Sequence, residues 1–355
     1  MRALIAMSGG VDSSVAAMLM DGWDRIGCTM RLFDADLSES EHHSTCCSLE
    51  DVEDARAVCR RLGIPYYVFN FKDDFRTKII DKFVDSYRCG ITPNPCIDCN
   101  RYMKFDKLYD RARALSCDAV VTGHYARIEQ LDGRYVLKKA LDPMKDQSYV
   151  LYTLTPEQLS RTRFPLGVLT KDEVRACAAE HGFVNAKKPD SQDICFVPDG
   201  DYAAFIERYI GPQPPGDFVT PDGAVVGRHR GITHYTLGQR KHLGLSLGKP
   251  VFVTDIDPIE NTVTVGDERY LFDDTAVITD VNWVSIDPPD RPFRCRAKTR
   301  YRQTEQPCLV TPNPDGTVTL LFDAPVRAIT PGQAAVLYDG ELVLGGGVIV
   351  SKKRG

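Results

Sequence analysis

The sequence of 355 residues contains no run of 18 apolar residues, so it predicts no helix that could span a membrane. Its first apolar stretch, Ala3–Met7, is also too short for the hydrophobic core of a signal peptide. Internal repeats and low-complexity segments are missing as well. These absences argue against membrane, secreted and repeat proteins, and from them we expect a cytoplasmic protein with no membrane partner.

The chain also lacks an excess of positive charge, because 44 Lys and Arg residues face 49 Asp and Glu residues, for a net charge of −5. A surface that binds nucleic acid must therefore be a local patch. Twelve cysteines are many for a chain expected in the cytoplasm, and their uneven spacing does not suit a secreted disulfide framework. We expect catalytic, redox or metal-binding roles for a few of them and burial for most of the others.

The order of apolar segments predicts an α/β chain of three domains. Its first half alternates short apolar strands with amphipathic helices, as in a parallel sheet. The predicted strands are Ala3–Met7, Ile26–Phe33, Tyr66–Phe71 and Ala119–Gly123, and the predicted helices are Ser13–Met20, Leu49–Leu62, Lys72–Tyr87 and Tyr102–Leu115. Turn signals at 221–223, 313–316 and 338–340 indicate antiparallel hairpins later in the chain. We expect a parallel-sheet domain at 1–200, a small mixed domain at 201–268 and an antiparallel β-barrel at 269–355.

A glycine-rich segment, Ser8–Ser14, connects the first predicted strand to the first predicted helix; the chain has neither a Walker A loop nor a G-x-G-x-x-G segment that opens a helix. Adjacent glycines let the backbone approach a ligand, serine hydroxyls add donors, and a helix N-terminus favours anions. The segment therefore predicts a phosphate site, with a tight turn capped by serine as the alternative. Its S-G-G-V-D-S sequence resembles the loop with which PP-loop ATP pyrophosphatases hold pyrophosphate, which implies ATP and Mg²⁺ as cofactors.

Three cysteines fall in segments rich in proline and aspartate. Cys96 and Cys99 form a C-x-x-C segment after two prolines, which we expect to keep this loop extended, and Cys195 lies in a second loop. Sulfur transfer uses one cysteine to carry a persulfide and another to release its outer sulfur. The spacing alone leaves redox or sulfur chemistry, metal binding and buried thiols open. The adjacent Cys46 and Cys47 predict a solvated loop rather than a metal site.

A segment near the C-terminus alternates basic residues with less polar ones, and its basic members are Arg294, Arg296, Lys298, Arg300 and Arg302. Because every second side chain of a strand points to the same face, a strand here predicts a row of cations spaced by about 6.6–6.8 Å. Such a row suits the phosphate backbone of a nucleic acid better than a small anion. The alternative is a solvated face whose charges are offset by acidic neighbours such as Glu305.

Seven ordered blocks spread over the whole chain resemble the tRNA-specific 2-thiouridylase family. They are 8–13, 28–32, 92–100, 122–127, 145–149, 191–196 and 234–241. The resemblance implies an adenine nucleotide alpha hydrolase-like PP-loop domain and ATP-dependent 2-thiolation of the wobble uridine (position 34) of tRNA, by adenylation of the C2 oxygen and sulfur transfer. It also implies the tRNAs for lysine, glutamate and glutamine as substrates, and a persulfide donor such as a cysteine desulfurase or a carrier protein as a partner.

The same resemblance assigns roles to individual residues. It implies a persulfide on Cys195, with Cys99 as its catalytic partner. ATP contacts map to Ala6, Met7, Ser8, Gly9, Gly10, Val11, Asp12, Ser13, Met30 and Gly123. The target base maps to Asn94, Pro95 and Cys96, and tRNA contacts map to His124, Lys145, Asp146, Gln147, Arg300, Tyr301 and Gln333.

One position departs from the family pattern, because Cys96 stands where the family sequence N-P-D-x-x-C has aspartate. Cys96, Cys99 and Cys195 could together ligate a [4Fe-4S] cluster with one iron open to hydrosulfide, as in some relatives among PP-loop sulfur transferases. The persulfide route and the cluster route both stay open at this point. Two other functions also remain, a PP-loop ligase or amidotransferase acting on a small molecule and a non-catalytic zinc-stabilised RNA-binding protein.

Overall fold

The computed structural model describes residues 1–33, 49–189, 194–197 and 200–353, and the structural statements below concern these residues. The loop predicted at Cys46 and Cys47 lies outside the described residues, as does the segment 190–193 that leads to Cys195. Within the described ranges, no helix is both long and apolar enough to cross a membrane.

The N-terminal part is built on a parallel sheet. In chain order, the first strands are β1 (Arg2–Ala6), β2 (Asp24–Arg31), β3 (Tyr66–Asn70), β4 (Ala119–Val121), β5 (Arg127–Leu131), β6 (Arg134–Lys138) and β7 (Thr162–Arg163). Five of them pair in the order β3-β2-β1-β4-β7. The centre of β1 is fully buried, as expected for a parallel strand covered on both faces. The predicted α/β fold and the four predicted strands of this half are confirmed.

The helices of the described chain cover this sheet and lead into the central part. They are α1 (Val11–Leu19), α2 (Leu49–Arg61), α3 (Lys72–Phe75), α4 (Asp81–Arg88), α5 (Pro95–Asp98), α6 (Leu108–Ala114), α7 (Pro156–Ser160), α8 (Lys171–Glu180) and α9 (Tyr202–Ile210). A π-helical stretch at Arg76–Ile80 joins α3 to α4, so the helix predicted at Lys72–Tyr87 is confirmed as one continuous segment.

The helix predicted at Tyr102–Leu115 begins earlier than expected. It starts with α5 at Pro95 and continues through a π-helical stretch, Cys99–Lys107, into α6. Asn94 caps it, because its side-chain oxygen accepts a hydrogen bond from the amide of Cys96 at 3.2 Å, and Pro95 occupies the first helical position, where no amide hydrogen is needed. The prediction of an extended C-x-x-C loop is therefore wrong, and both cysteines lie on a helix.

The central part contains α9 and a four-stranded sheet. Its strands are β8 (Gly216–Val219), β9 (Val225–His229), β10 (Phe252–Asp257) and β11 (Thr262–Gly266), in the order β10-β11-β8-β9. β11 and β8 run parallel, whereas the other neighbours run antiparallel. The turn predicted at 221–223 connects β8 to β9, which agrees with the expected mixed domain.

The C-terminal part is a closed antiparallel barrel. Its strands are β12 (Phe272–Asn282), β13 (Phe293–Lys298), β14 (Gln306–Pro312), β15 (Val318–Arg327), β16 (Ala334–Asp339) and β17 (Leu342–Lys353). β12 pairs with both β15 and β17, which closes the barrel and confirms the predicted architecture. The sheet extends beyond β17 into the hairpin of β6 and β5, which comes from the N-terminal part of the chain.

Candidate active site

The glycine-rich loop lies between β1 and α1, at the carboxyl edge of the parallel sheet. Gly10 precedes α1 in an extended conformation and carries no side-chain cap, so amides of the first helical turn face the loop. The Ser13 hydroxyl donates to the Gly10 carbonyl at 3.0 Å and accepts from the Ser8 amide at 3.1 Å. This arrangement keeps the loop folded around the helix N-terminus, where an anion is favoured.

Two glycines allow other segments to approach this loop closely. Gly9 has φ +73°, and a Cβ atom there would lie 2.5 Å from the carbonyl oxygen of Asp51 at the start of α2. A Cβ atom on Gly123 would lie 2.8 Å from the amide nitrogen of Ser13. Gly123 follows β4, and Met30 lies near the end of β2, so both share the carboxyl edge of the sheet with the loop.

Asp12 and the loop backbone are held by residues that sequence reasoning missed. The Asp12 carboxylate accepts from the buried Lys171 ammonium at 2.7 and 2.9 Å, and from the Tyr125 hydroxyl at 2.8 Å. The buried Asn185 amide donates to the Gly9 carbonyl at 2.8 Å and to the Ser14 hydroxyl at 2.9 Å. Lys171 sits at an ordinary helix start in the sequence, and no local pattern marks either residue as part of a phosphate site.

Cys99 and Cys195 come together around one apolar cluster. Both are partly buried and pack against the cluster that contains Phe75, Phe83 and Phe196, and Met30 packs against the same cluster. Cys99 is the first residue of the π-helical stretch that follows α5. The predicted sulfur-transfer pair and a predicted ATP contact therefore lie in one region of the fold, at the edge of the sheet that carries the glycine-rich loop.

Cys96 is placed differently from the other two cysteines. Its side chain is exposed, one turn before the partly buried Cys99. Within the described ranges, which include Cys96, Cys99 and Cys195, no three His, Cys, Asp or Glu side chains are arranged to hold a metal ion.

Asp98 does not take over the position of the family aspartate. Its carboxylate accepts from the Lys82 ammonium at 2.7 Å, on the buried side of α5. Burial raises the pKa of Asp98, although the positive charge of Lys82 acts in the opposite direction. Cys96 alone occupies the exposed position at the helix start.

His124, predicted to contact tRNA, lies in the interior and is only 6% exposed. Its Nδ1 is 2.7 Å from the Thr122 hydroxyl, and its Nε2 is 3.3 Å from the Lys104 ammonium. Burial, together with the charge of Lys104, lowers the pKa of His124 well below 6.5, so the ring is neutral and can accept from Lys104. The enclosed ring positions Lys104, and the tRNA contact that the resemblance implies for His124 stays a prediction.

The predicted tRNA segment 145–147 links the barrel to the phosphate loop. The Tyr301 hydroxyl donates to the Asp146 carbonyl at 3.2 Å, and the Asp146 carboxylate accepts from the amide and hydroxyl of Ser148. The Gln147 side-chain oxygen accepts from the Tyr125 amide at 2.9 Å. Since the Tyr125 hydroxyl donates to the Asp12 carboxylate in the phosphate loop, these contacts form a continuous path. Lys145 lies partly exposed at the start of the segment.

Gln333 orients the segment that leads into α5. Its side-chain amide donates to the carbonyl oxygens of Thr92 at 2.9 Å and Pro93 at 3.1 Å. These residues directly precede Asn94, which caps the helix that carries Cys96 and Cys99. The structure thus places Asn94, Pro95, Cys96 and Gln333 together.

The prediction of a row of five cations is wrong on two counts. The strand is shorter than expected, and acidic residues offset the charge of its basic side chains. β13 ends at Lys298, because the amide and hydroxyl of Thr299 donate to the Gln303 side chain and turn the chain. On the strand itself, Arg294 pairs with Asp323 at 2.9 Å, and Glu305 lies 3.9 Å from Arg296 and 4.0 Å from Lys298. The acidic neighbours offset this face, as the alternative interpretation expected.

Arg300 is turned toward the central part instead. Its guanidinium donates to the carbonyl oxygens of Ala328 at 3.1 Å and Leu237 at 3.0 Å, and to the Thr330 hydroxyl at 2.6 Å. Arg300 therefore connects the barrel to the segment that follows the 232–234 turn. Arg302 is exposed beyond the end of β13.

The N-terminal part, the central part and the barrel are each matched by a separate family model. Residues 1–199 match the family model described as the tRNA methyl transferase HUP domain, residues 203–267 match its PRC-barrel domain, and residues 273–349 match the aminomethyltransferase beta-barrel domain. The fold and the loop geometry define a nucleotide-binding α/β protein of the PP-loop type.

Similarity to curated proteins is more specific. The chain is 49% identical to the tRNA-specific 2-thiouridylase MnmA of Clostridioides difficile (strain 630), covering 98% of both chains. It is 51% identical to the protein of the same name from Symbiobacterium thermophilum, covering 98% of this chain and 92% of the other. The chain belongs to the tRNA-specific 2-thiouridylase family.

Proposed function

We propose that this protein is an ATP-dependent tRNA-uridine 2-sulfurtransferase that replaces the C2 oxygen of the wobble uridine, position 34, with sulfur. The observation that carries the proposal is that Cys99, Cys195 and Met30 pack against one apolar cluster, at the edge of the sheet that carries the phosphate loop. The curated relatives, which match this chain over nearly their whole length, are named for this activity. A small-molecule ligase or a non-catalytic RNA-binding module has no use for this pair of thiols beside a phosphate loop.

The phosphate loop supports the first half of the reaction. The C2 oxygen of the uridine attacks the α-phosphorus of ATP, the uridine becomes adenylated, and pyrophosphate leaves. The segment from Ser8 to Ser13, at the N-terminus of α1, is suited to hold the pyrophosphate. Mg²⁺ bound to ATP offsets the charge of the phosphates. The target nucleotide must leave the anticodon stack to reach this edge of the sheet.

The two cysteines support the second half. A persulfide on Cys195 provides the sulfur, which attacks C2 and displaces AMP. The Cys99 thiolate then attacks the inner sulfur of Cys195, so that 2-thiouridine is released and a Cys99–Cys195 disulfide forms. An external thiol reductant returns the disulfide to two thiols before the next cycle. Alternatively, Cys99 attacks first and frees hydrosulfide, which then attacks C2; the balance of atoms is the same.

The substrates and the sulfur donor follow from the family resemblance. We propose tRNAs with U34 that read lysine, glutamate and glutamine codons, and a cysteine desulfurase or a persulfide carrier protein as the donor. We favour the persulfide route over a [4Fe-4S] cluster, because Cys96 is exposed whereas Cys99 and Cys195 are partly buried against one apolar cluster.

Pyrophosphate release tests this proposal when it is measured together with 2-thiouridine formation. The protein, supplied with ATP, unmodified tRNA and a persulfide donor, should release one pyrophosphate for each 2-thiouridine formed. Cys195→Ser should still release pyrophosphate in the presence of tRNA but form no 2-thiouridine. Pyrophosphate release that does not depend on tRNA would indicate a small-molecule ligase, and no release at all would indicate a binding protein.

A further inference from the structure

Lys104 is a half-buried cation on the helical segment that carries Cys99. It belongs to the π-helical stretch Cys99–Lys107 and lies between the buried side chains of Met103 and Phe105. Its ammonium nitrogen is 3.3 Å from Nε2 of His124, and within the described residues no carboxylate forms an ion pair with it. Because an ammonium has three N–H donors, this one contact leaves two of them for other acceptors.

His124 holds the ammonium in place without neutralising it. The ring packs against Phe105 and Phe164, with centroid distances of 6.0 and 5.7 Å. Since the ring is neutral and Nε2 accepts from Lys104, Nδ1 carries the hydrogen and donates to the Thr122 hydroxyl at 2.7 Å. A half-buried ammonium beside a neutral partner is costly, and an anion bound next to it would offset that cost.

Short connections link Lys104 to both halves of the predicted site. Gly123, which directly precedes His124, packs so closely on the phosphate loop that a Cβ atom there would lie 2.8 Å from the Ser13 amide nitrogen. In the other direction, Lys104 follows Cys99 by five residues, which is the hydrogen-bonding interval of a π-helix, so the two residues are one turn apart. Lys104 is therefore placed where the phosphate loop and the sulfur-transfer cysteines meet.

The adenylated uridine brings an anion to this place. Its C2 carbon, which the sulfur attacks, is joined to the α-phosphorus through a single oxygen atom. A cation between the phosphate loop and Cys99 therefore faces the α-phosphoryl group. When sulfur bonds to C2, the bond between C2 and this oxygen breaks, and its electron pair stays on the oxygen, so the departing AMP gains a negative charge. A fixed cation beside the α-phosphoryl group lowers the energy of that step.

We propose that Lys104 is a further catalytic residue, which binds the α-phosphoryl group of ATP and of the adenylated uridine and stabilises the departing AMP, with His124 as its positioning residue. The ammonium acts through its charge and its hydrogen bonds and keeps its protons throughout. This inference rests on the proposed function, because it takes ATP and the uridine of tRNA as the reactants.

Two substitutions of Lys104 separate its charge from its contact with His124. Lys104→Gln keeps an N–H donor for the ring but removes the charge, and we expect tRNA-dependent pyrophosphate release to fall about a hundredfold. Lys104→Arg keeps the charge and should lose less. Lys107→Gln is the matched control, since Lys107 belongs to the same stretch and is paired with Asp74 at 2.7 Å. Normal pyrophosphate release by Lys104→Gln would overturn the proposal, as would equal losses in Lys104→Gln and Lys104→Arg.

The two diastereomers of the α-phosphorothioate analogue of ATP test the contact itself, because sulfur replaces one or the other non-bridging oxygen of the α-phosphoryl group. The unaltered protein and Lys107→Gln should react faster with one diastereomer, and Lys104→Gln should react with the two at more similar rates. An undiminished preference in Lys104→Gln would show that Lys104 acts away from the α-phosphoryl group, and would reject the assignment.

Persulfide formation on Cys195, measured with the persulfide donor alone, should be equal in the unaltered protein and in all three variants. A loss confined to the Lys104 variants would show that the lysine serves the cysteines instead, which contradicts the proposal. Failure of the proposed function is recognised separately, because the unaltered protein would then form no 2-thiouridine.

Discussion

Single residues decide how firmly the phosphate loop is held. Asp12 was predictable from the S-G-G-V-D-S segment, but the Lys171 and Asn185 side chains that fix this loop come from more than 150 positions away in the chain. A contact across that separation leaves no periodic signal in the sequence. The burial of the His124 ring is likewise not predictable from the sequence around it.

Replacing Lys171 by Met should disable the phosphate loop while leaving tRNA binding intact. The change removes the ion pair that fixes Asp12 and leaves its carboxylate beside an apolar side chain, at a cost of roughly 2 kcal/mol in the free energy of unfolding. We expect tRNA-dependent pyrophosphate release to fall at least tenfold, with a raised KM for ATP. Lys187→Met, a change at an exposed lysine, is the control. Normal pyrophosphate release by Lys171→Met would refute the role given to this contact.

The buried His124 predicts a loss of stability in mild acid. Its pKa in the folded protein lies below the unfolded value of about 6.5, so the unfolded chain binds the additional proton, and stability decreases as pH falls below about 6.5. Between pH 6.5 and the folded pKa, the decrease due to this residue approaches about 1.4 kcal/mol per pH unit. Urea unfolding between pH 7.5 and 5 should show a shallower decrease for His124→Gln than for the unaltered protein. Equal slopes would show that the ring gains its proton without cost.

At the scale of elements, the predictions from the sequence failed at the ends of helices and strands. Two prolines suggested an extended loop at 93–95, but asparagine followed by proline also forms a capped helix start, and the contact of Gln333 with the preceding carbonyls favours that outcome. The alternation of charges suggested a strand to Arg302, whereas the local bond between Thr299 and Gln303 ends it. Both ends are decided by hydrogen bonds that the hydrophobic pattern does not report.

Loss of the α5 cap should impair sulfur transfer more than adenylation. Asn94→Ala removes the side-chain acceptor for the Cys96 amide, which costs about 1 kcal/mol and loosens the helix start that carries both cysteines. We expect 2-thiouridine formation to fall several-fold while pyrophosphate release is less affected, and Asn94→Ser to restore both. Thr155→Ala, which removes a comparable cap from α7, is the control. Equal loss of both readouts, without rescue by serine, would show that Asn94 acts by another route.

At the scale of the molecule, the N-terminal part and the barrel share a core. Composition and turn signals indicated a barrel, but they gave no sign that the β5–β6 hairpin would extend its sheet. One apolar cluster includes Phe105 and Tyr149 from the N-terminal part and Val336 and Tyr338 from the barrel. The parts are therefore expected to unfold as one unit.

The two tryptophans of the chain can test this cooperativity separately. Trp23 packs against the core of the parallel sheet, and Trp283 packs against the core of the barrel. In the single-tryptophan variants Trp23→Phe and Trp283→Phe, fluorescence should report the same urea midpoint, after correction for the stability of each variant by circular dichroism. Two distinct midpoints would show that the barrel unfolds independently of the sheet.

The most direct test of the account is thiolation by iron-free protein. The protein, treated with a chelator and shown by metal analysis to lack iron, is given a persulfide donor, ATP, a thiol reductant and unmodified tRNA. We predict multiple turnovers of 2-thiouridine, with Cys99→Ser and Cys195→Ser inactive and Cys96→Ala retaining substantial activity. Absence of product until iron and sulfide are restored, with Cys96→Ala losing iron and activity together, would contradict the persulfide mechanism.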